Sequence, residues 1–559
     1  MDNRTLTNDR FSTHDVVNQP PPLVPYDMFA TDMPLQQVLA REGGGWAMPQ
    51  VAAYGKLAGS ELMELGFAAN ENKPVFKPFD RFGQRIDCID FHPAYHRLME
   101  LGIAHGITGF AWRHCDTPGA QVARAALMYL HCQAEQGTCC PMTMTYASVP
   151  VFQHAPALAR TWLPRVISAE YDARSVPAWE KRGNTIGMGM TEKQGGSDVR
   201  ANTTRAHPVE AGGANPLYEL IGHKWFFSAP MCDAFLVLAQ AERGISCFLL
   251  PRFVPDGGPG GQRNAIRIQR LKDKLGDWSN ASSEVEFHGA LAWLVGEEGR
   301  GVATILEMVA LTRQDCMIGS AAIMRQALTQ AIHHARHRKA FGKLLIEQPL
   351  MQNVLADLAL ESEAALALTM RVARAVDAAP HNAAEAAFAR IATAIGKYWV
   401  CKRCPPFVNE AQECLGGAGY VEESILPRLY RQAPLNSIWE GSGNIQCLDV
   451  LRALKREPET REALFAEFVL VKGLHPLLDR HVARLSAELD DTQNIECRAR
   501  TLVEGMAVGL QAAQLLRGDG RIGAIFCDSR FREYALRNFG TLAASVPRGE
   551  LIARALAVN

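Results

Sequence analysis

Between residues 183 and 296 the apolar residues come in short runs broken by turn residues, among them NTIGMGM, YELIGHKWFF, AFLVLAQ and ISCFLLP; on both sides they recur three and four apart. Short β-branched and aromatic runs between turns are the pattern of strands, and the three-to-four spacing is that of one buried helix face. A chain that changes period twice cannot be one bundle or one sandwich. The expectation is an α+β multidomain protein: a helical N-terminal domain at 41–182, a β-domain at 183–296 and a four-helix bundle at 297–455. Pro405 and Pro406 fall inside the third bundle helix, at 382–414, and are expected to kink or break it, since neither donates a backbone hydrogen bond. Residues 1–40, punctuated by QPPPLVP, read as an extended arm, and 456–559 as further amphipathic helix behind an acidic hinge.

Composition excludes more than it assigns. With 48% hydrophobic and 21% charged residues, a chain of 559 can bury several cores and is not a disordered polymer. A net charge of -1 and a pI of about 7.0 carry no overall polyanion-binding signature, so nucleic-acid contact would need a local patch. The polar start MDNRTLTNDRFSTHD is no signal peptide and no apolar run has the length of a membrane span, which makes the cytoplasm the expected location. In that reducing compartment the fourteen cysteines are expected as buried thiols, the lone Cys401/Cys404 pair and adjacent Cys139 and Cys140 included.

Three segments carry chemistry. MTEKQGGSD (190–198) holds Gly195 and Gly196, which let backbone approach a ligand closely, and offers turn N–H groups with the Ser197 hydroxyl as donors for a pyrophosphate. IGHKWFFSA (221–229) is an aromatic strand, and alone its tryptophan would be ordinary core. ECLGGAGYVEESILPRLYRQAPLNSIWEGSGNIQ (413–446) has Gly416 and Gly417 where a helix ends, then returns to place Glu440 just before the last bundle helix. There a carboxylate gains from the helix dipole, and it can act as a base if partly desolvated.

Taken together, the three resemble the MTEPxAGSD, NGxKxWIT and QxxGGxGY…IYEGTxxIQ motifs of the acyl-CoA dehydrogenase superfamily. The resemblance implies bound FAD, with contacts from Met188, Gly189, Met190, Thr191, Gly195, Gly196, Ser197, Trp225, Phe226, Phe227 and Ser228, and from Gly416, Gly417, Ile438, Trp439, Gly441, Ser442 and Asn444. It implies that Trp225 stacks on the isoalloxazine, with Phe226 and Phe227 standing where the family has Ile-Thr, so that a hydroxyl near N5 is lost. Lys193 replaces the motif's proline. Glu440 takes the place of the base that removes the α-proton of an acyl thioester. The family's alternative base position falls on Thr312, beside Arg313, which cannot serve. HARHRKAFG (334–342) is similar to the RxxFG motif, whose Arg338 and Phe341 would reach the cofactor of a neighbouring subunit in a homo-oligomer, by family habit a tetramer.

The segment CPMTMTYASVP (140–150), the proline-bearing arm, the Phe226–Phe227 pair and the extension beyond 456 look like the adaptive-response AidB branch of that superfamily. That resemblance implies a role against DNA alkylation damage, non-specific binding of double-stranded DNA, and at most weak dehydrogenation of short or branched acyl-CoA such as isovaleryl-CoA. The alternative is an ordinary metabolic acyl-CoA dehydrogenase or oxidase. For DNA the expected contacts are Arg517, Arg521, Arg530, Arg532 and Arg537, in a C-terminal domain whose fourteen cations balance fourteen carboxylates.

Overall fold

Helix starts along this chain are written in capping chemistry. Asp32 accepts from the Leu35 N–H at 3.0 Å with Pro34 in the first turn of helix α1 (Met33–Arg41), and Asn382 accepts from Ala384 and Glu385 at the start of a bundle helix. The structure is a computed structural model and describes residues 13–210, 215–255, 261–532 and 538–556. After α1 come α2 (Met48–Ala58), α3 (Glu61–Glu71), α4 (Pro93–Ala104), α5 (Phe110–Arg113), α6 (Ala120–Ala134), α7 (Cys139–Ala147) and α8 (Pro156–Val166). A hairpin interrupts them, β1 (Val75–Phe79) and β2 (Arg85–Asp90), in a stretch expected to be helical. Its turn is fixed by the Asp80 carboxylate, which accepts from Phe82 and Gln84 N–H at 2.8 and 2.9 Å.

The change of period becomes a seven-stranded sheet. Its strands are β3 (Ile186–Gly189), β4 (Arg205–Glu210), β5 (Leu217–Ser228), β6 (Ala234–Ala241), β7 (Gly244–Pro251), β10 (Ile266–Leu271) and β11 (Ser282–Val295); a small ladder joins β8 (Phe253–Val254) to β9 (Gln262–Arg263). The order is β10-β11-β5-β4-β6-β3, with β7 pairing β11 and β6. The apolar runs AFLVLAQ and ISCFLLP form the buried β6–β7 hairpin, as continuous hydrophobic strands should.

The long helices α9 (Gly301–His337), α10 (Pro349–Ala378), α11 (Ala383–Cys414) and α13 (Gly443–Arg456) pack together, with the short α12 (Leu426–Gln432) in the returning loop. Contrary to expectation, Pro405 and Pro406 do not break α11, which runs through both. Burial of Phe407, Val408 and Ala411 beyond the prolines outweighs the missing backbone hydrogen bonds. The C-terminal helices α14 (Pro458–Val469), α15 (Pro476–Asp490), α16 (Ile495–Gly518), α17 (Gly520–Arg530) and α18 (Arg548–Ala555) share one hydrophobic core with the bundle and the N-terminal helices; a second core fills the β-domain. Cys139, Cys140, Cys401 and Cys404 are buried free thiols, whereas Cys88 is half-buried and Cys115 and Cys497 are exposed, contrary to the expectation for all fourteen.

Candidate active site

Glu440 sits at φ +57, a left-handed conformation that costs a non-glycine residue about 1–2 kcal/mol. The loop that forces it is strapped from three sides. Arg313 Nε donates to the Glu440 carbonyl at 3.0 Å, and Gln446 Nε2 to the Glu440 and Gly441 carbonyls at 3.1 and 3.0 Å. Buried Lys397 donates to the Trp439 carbonyl at 2.8 Å and to that of Gly441. Gly441, at φ +96, leaves room for the Gln446 amide, which a Cβ would approach to 2.6 Å. Neither Lys397 nor Gln446 was singled out from sequence. A lone lysine in the apolar run IATAIGKYWVC was the available signal, because buried ammonium groups need partners.

The carboxylate is partly buried, and burial raises its pKa against the opposing pull of Thr312, Arg313 and Lys397. Thr312 Oγ1 donates to Glu440 Oε2 at 2.6 Å. The residue that cannot be a base therefore hydrogen-bonds to the one that can. In Thr312→Val the donor to the charged form is gone, the carboxyl pKa rises further, and the acid limb of base-dependent flavin reduction moves to higher pH. Stopped-flow pH profiles check this; an unmoved limb denies Thr312 the role.

On the β-domain side, a register irregularity between Ser283 and Val285 sets both Trp225 and Phe226 of β5 against a single residue of β11. Lys224 and Phe227 are buried while Trp225 and Ser228 are partly exposed and Phe226 is exposed, so the bulge turns both rings outward. Two expectations are corrected. Phe227 packs on Phe235 and Phe287 in the core, and buried Gly189 is small because a Cβ would lie 2.7 Å from the Phe227 ring; neither faces a cofactor. Counted residue by residue, NGxKxWIT lies over Ile221–Ser228, which gives Phe226 the tryptophan's place and Ser228 the threonine's. The hydroxyl judged lost is therefore present: Ser228 Oγ lies 3.2 Å from Ser282 Oγ.

A buried ion pair ties the first two motifs together. Lys224 Nζ meets Glu192 Oε1 at 2.7 Å, and Trp225 N–H donates to the Thr191 carbonyl at 2.8 Å. Burial pushes Lys224 down to about 8 despite Glu192; for Glu192, Lys224 and hydrogen bonds overcome burial and hold it below the usual carboxylate range. Sequence reasoning missed this pair, although charges within an apolar strand were its signal. Met188, Met190 and Trp439 pack against the β-domain core, which brings the three motifs to one junction. Gly195 at φ +135, Gly416 at φ +60 and Gly417 have open space where a Cβ would stand, and Gly196 has its Cβ direction filled by Thr191. Ser197 and Ile438 are exposed. Outward aromatic rings, open glycines and hydroxyls fit a flavin dinucleotide.

The remaining expected contacts are held elsewhere. Arg338 ends α9 and is engaged by the N-terminal arm, and Phe341 is 99% exposed at the tip of the hairpin β12 (Lys339–Ala340) and β13 (Lys343–Leu344). Ser442 is the residue before α13, and Asn444 accepts from Arg500 of α16 at 2.8 Å.

The C-terminal arginines do not form the expected patch. The Arg530 side chain is 8% exposed and paired with Asp357 and Glu361 of α10, at 2.8 and 3.0 Å, so it is closed to phosphate. Arg517 pairs with Glu467 at 3.3 Å and leans on Gln514. Only Arg521 and Arg532 are mainly exposed, 63% and 55%, with Glu550 and Asp528 as partners; Arg537 lies outside the described residues. Arginines close in sequence here turn to separate carboxylates and share no surface.

Comparisons with known proteins match this geometry. Residues 18–173 match the family described as adaptive response protein AidB N-terminal domain, 187–290 the acyl-CoA dehydrogenase middle domain and 299–455 the acyl-CoA dehydrogenase C-terminal domain. The chain is 50% identical over 481 residues to the Escherichia coli (strain K12) acyl-CoA dehydrogenase homologue AidB, covering 86% of this chain and 87% of that one. Among solved structures, Caenorhabditis elegans ACDH-11 in complex with C11-CoA superposes with a TM-score of 0.83 at 26% identity, covering 93% of this chain and 94% of that one. Bd2924 in its apo form gives 0.82 at 29%, covering 90% and 100%.

Proposed function

Because the chain belongs to the acyl-CoA dehydrogenase superfamily, and within it to the AidB branch, we propose that Glu440 is the base of an acyl-CoA site facing FAD in a flavoprotein of DNA-alkylation defence. It is an FAD-dependent oxidoreductase of the acyl-CoA type. Bound FAD supplies the acceptor for the hydride that leaves the substrate β-carbon. The single observation carrying the reading is the partly buried Glu440 carboxylate, strapped at positive φ and hydrogen-bonded by Thr312, beside the outward rings of β5.

Each residue then has a task. Glu440 takes the α-proton; Thr312 steadies the carboxylate; Lys397, Arg313 and Gln446 hold the loop against its strain. Trp225 and Phe226 offer stacking surface and Ser228 a hydroxyl, while the open backbone at Gly195 and the Ser197 hydroxyl offer donors to a pyrophosphate. Arg338 and Phe341 reach a neighbouring subunit's cofactor, consistent with a hairpin tip that exposes a whole aromatic ring, and the assembly is a tetramer in the cytoplasm. No described helix is long and apolar enough to cross a membrane. The substrate is a short or branched acyl-CoA turned over slowly, and DNA is a second partner.

Anaerobic photoreduction, mixing with isovaleryl-CoA and duplex binding, done separately, test the assignment. Yellow protein with slow acyl-CoA reduction and salt-sensitive, sequence-independent DNA binding supports it; fast turnover without DNA binding makes it an ordinary dehydrogenase. For DNA, Arg521→Ala with Arg532→Ala is expected to lower the salt slope by about one unit per lost phosphate contact. An unchanged slope moves the DNA face elsewhere, and no binding at low salt removes the DNA role.

A further inference from the structure

The end of α9 and the hairpin that follows it are gripped by the arm. Asn18, itself at φ +60, donates from Nδ2 to the Lys339 carbonyl at 2.9 Å and accepts the Lys339 N–H on Oδ1 at 2.7 Å. One side-chain amide thus satisfies both edge groups of β12 as a third strand would. The Asn18 carbonyl in turn accepts from Arg338 Nη1 at 2.8 Å. Three residues on, the Pro21 carbonyl hydrogen-bonds His333 Nε2 at 2.7 Å, and Tyr26 OH donates to Gln326 of α9 at 2.7 Å, which fixes the arm along the helix. These bonds span 300 or more positions of sequence, and one of them holds the arginine assigned to a neighbouring cofactor.

We propose that Asn18 is a positioning residue for Arg338: the arm holds the guanidinium and the β12–β13 hairpin in the geometry that meets the pyrophosphate of a neighbouring subunit's FAD. The inference rests on the assignment of Arg338 made above. Its physical basis is pre-organisation. An arginine side chain loses much rotamer freedom when it binds, and a guanidinium already anchored through Nη1 loses less while keeping Nε and Nη2 for phosphate oxygens. The hairpin needs the same support. Phe341 and Gly342 form its two-residue turn at φ +50 and φ +79; glycine accepts such an angle, but an aromatic residue adopts it only under external constraint, and the two short strands supply little.

The test is a cycle on the full chain, reading the equilibrium dissociation constant of FAD by flavin fluorescence, with no substrate present. Arg338→Ala should weaken FAD about tenfold or more, the size of a lost charge-assisted pair. Asn18→Ala should weaken it about five- to tenfold, through loss of two hydrogen bonds that order the hairpin. Asn18→Gly, which loses the same two hydrogen bonds but suits the left-handed backbone, should weaken FAD less than Asn18→Ala but measurably. The deciding arm is the double variant: if Asn18 acts through Arg338 and the hairpin that carries it, Asn18→Ala costs less in the Arg338→Ala background than it does alone. Asn18→Ala within twofold of wild type, or losses that multiply in the double variant, overturn the inference while leaving Arg338 in place. Wild-type affinity in Arg338→Ala overturns the assignment beneath it and the positioning role together.

Discussion

Arg530→Ala is expected to destabilise the protein by about 3–5 kcal/mol without altering duplex affinity in the fraction that remains folded. The guanidinium is enclosed between Asp357 and Glu361, and Glu361 keeps Arg403 as a second partner at 3.0 Å. Removing the cation leaves Asp357, fully buried, with the Gly540 N–H at 3.0 Å as its one remaining hydrogen bond among the described residues. An uncompensated buried carboxylate is among the costliest single lesions. Thermal and urea unfolding measure the loss. A variant as stable as wild type that bound DNA with a reduced salt slope would restore Arg530 to the surface role the structure denies it.

Glu440→Gln carries the largest expected effect on activity. The amide keeps the shape of the side chain and can still accept the Thr312 hydrogen bond, and the straps from Arg313, Lys397 and Gln446 act on backbone carbonyls that the substitution leaves in place. FAD therefore stays bound. The amide cannot take the α-proton, so acyl-CoA-dependent flavin reduction should fall by about 100- to 10,000-fold, the usual contribution of a positioned base. Stopped-flow reduction under anaerobic conditions reads it directly, and a rate within a few-fold of wild type would move the base elsewhere.

Much of the site was legible because its motifs are local. The glycines of 190–198, the aromatic strand and the Glu440 loop each announce themselves within ten residues, and the switch of period locates the β-domain between helical units. What sequence could not give were contacts between distant segments. The Glu192–Lys224 pair spans 32 positions, Thr312–Glu440 spans 128, and Arg530–Asp357 spans 173. The outward turn of Trp225 and Phe226 depends on a bulge, which strict alternation cannot anticipate, and Phe227, expected at the cofactor by resemblance, falls on the buried side. Burial of Arg530 follows from its side chain, at the end of α17, reaching Asp357 and Glu361 of α10, a tertiary fact that charge counting along the chain treats as exposure.

The central claim, an FAD-bearing acyl-CoA site with Glu440 as its base, is tested most directly by anaerobic titration of the FAD-loaded protein with isovaleryl-CoA while the flavin absorbance is followed. The account predicts bleaching to reduced flavin in the wild type, slow but complete, and none in Glu440→Gln on the same timescale. A wild-type chain that cannot be loaded with FAD, a loaded flavin that excess acyl-CoA leaves oxidised, or equal bleaching in the variant would contradict it.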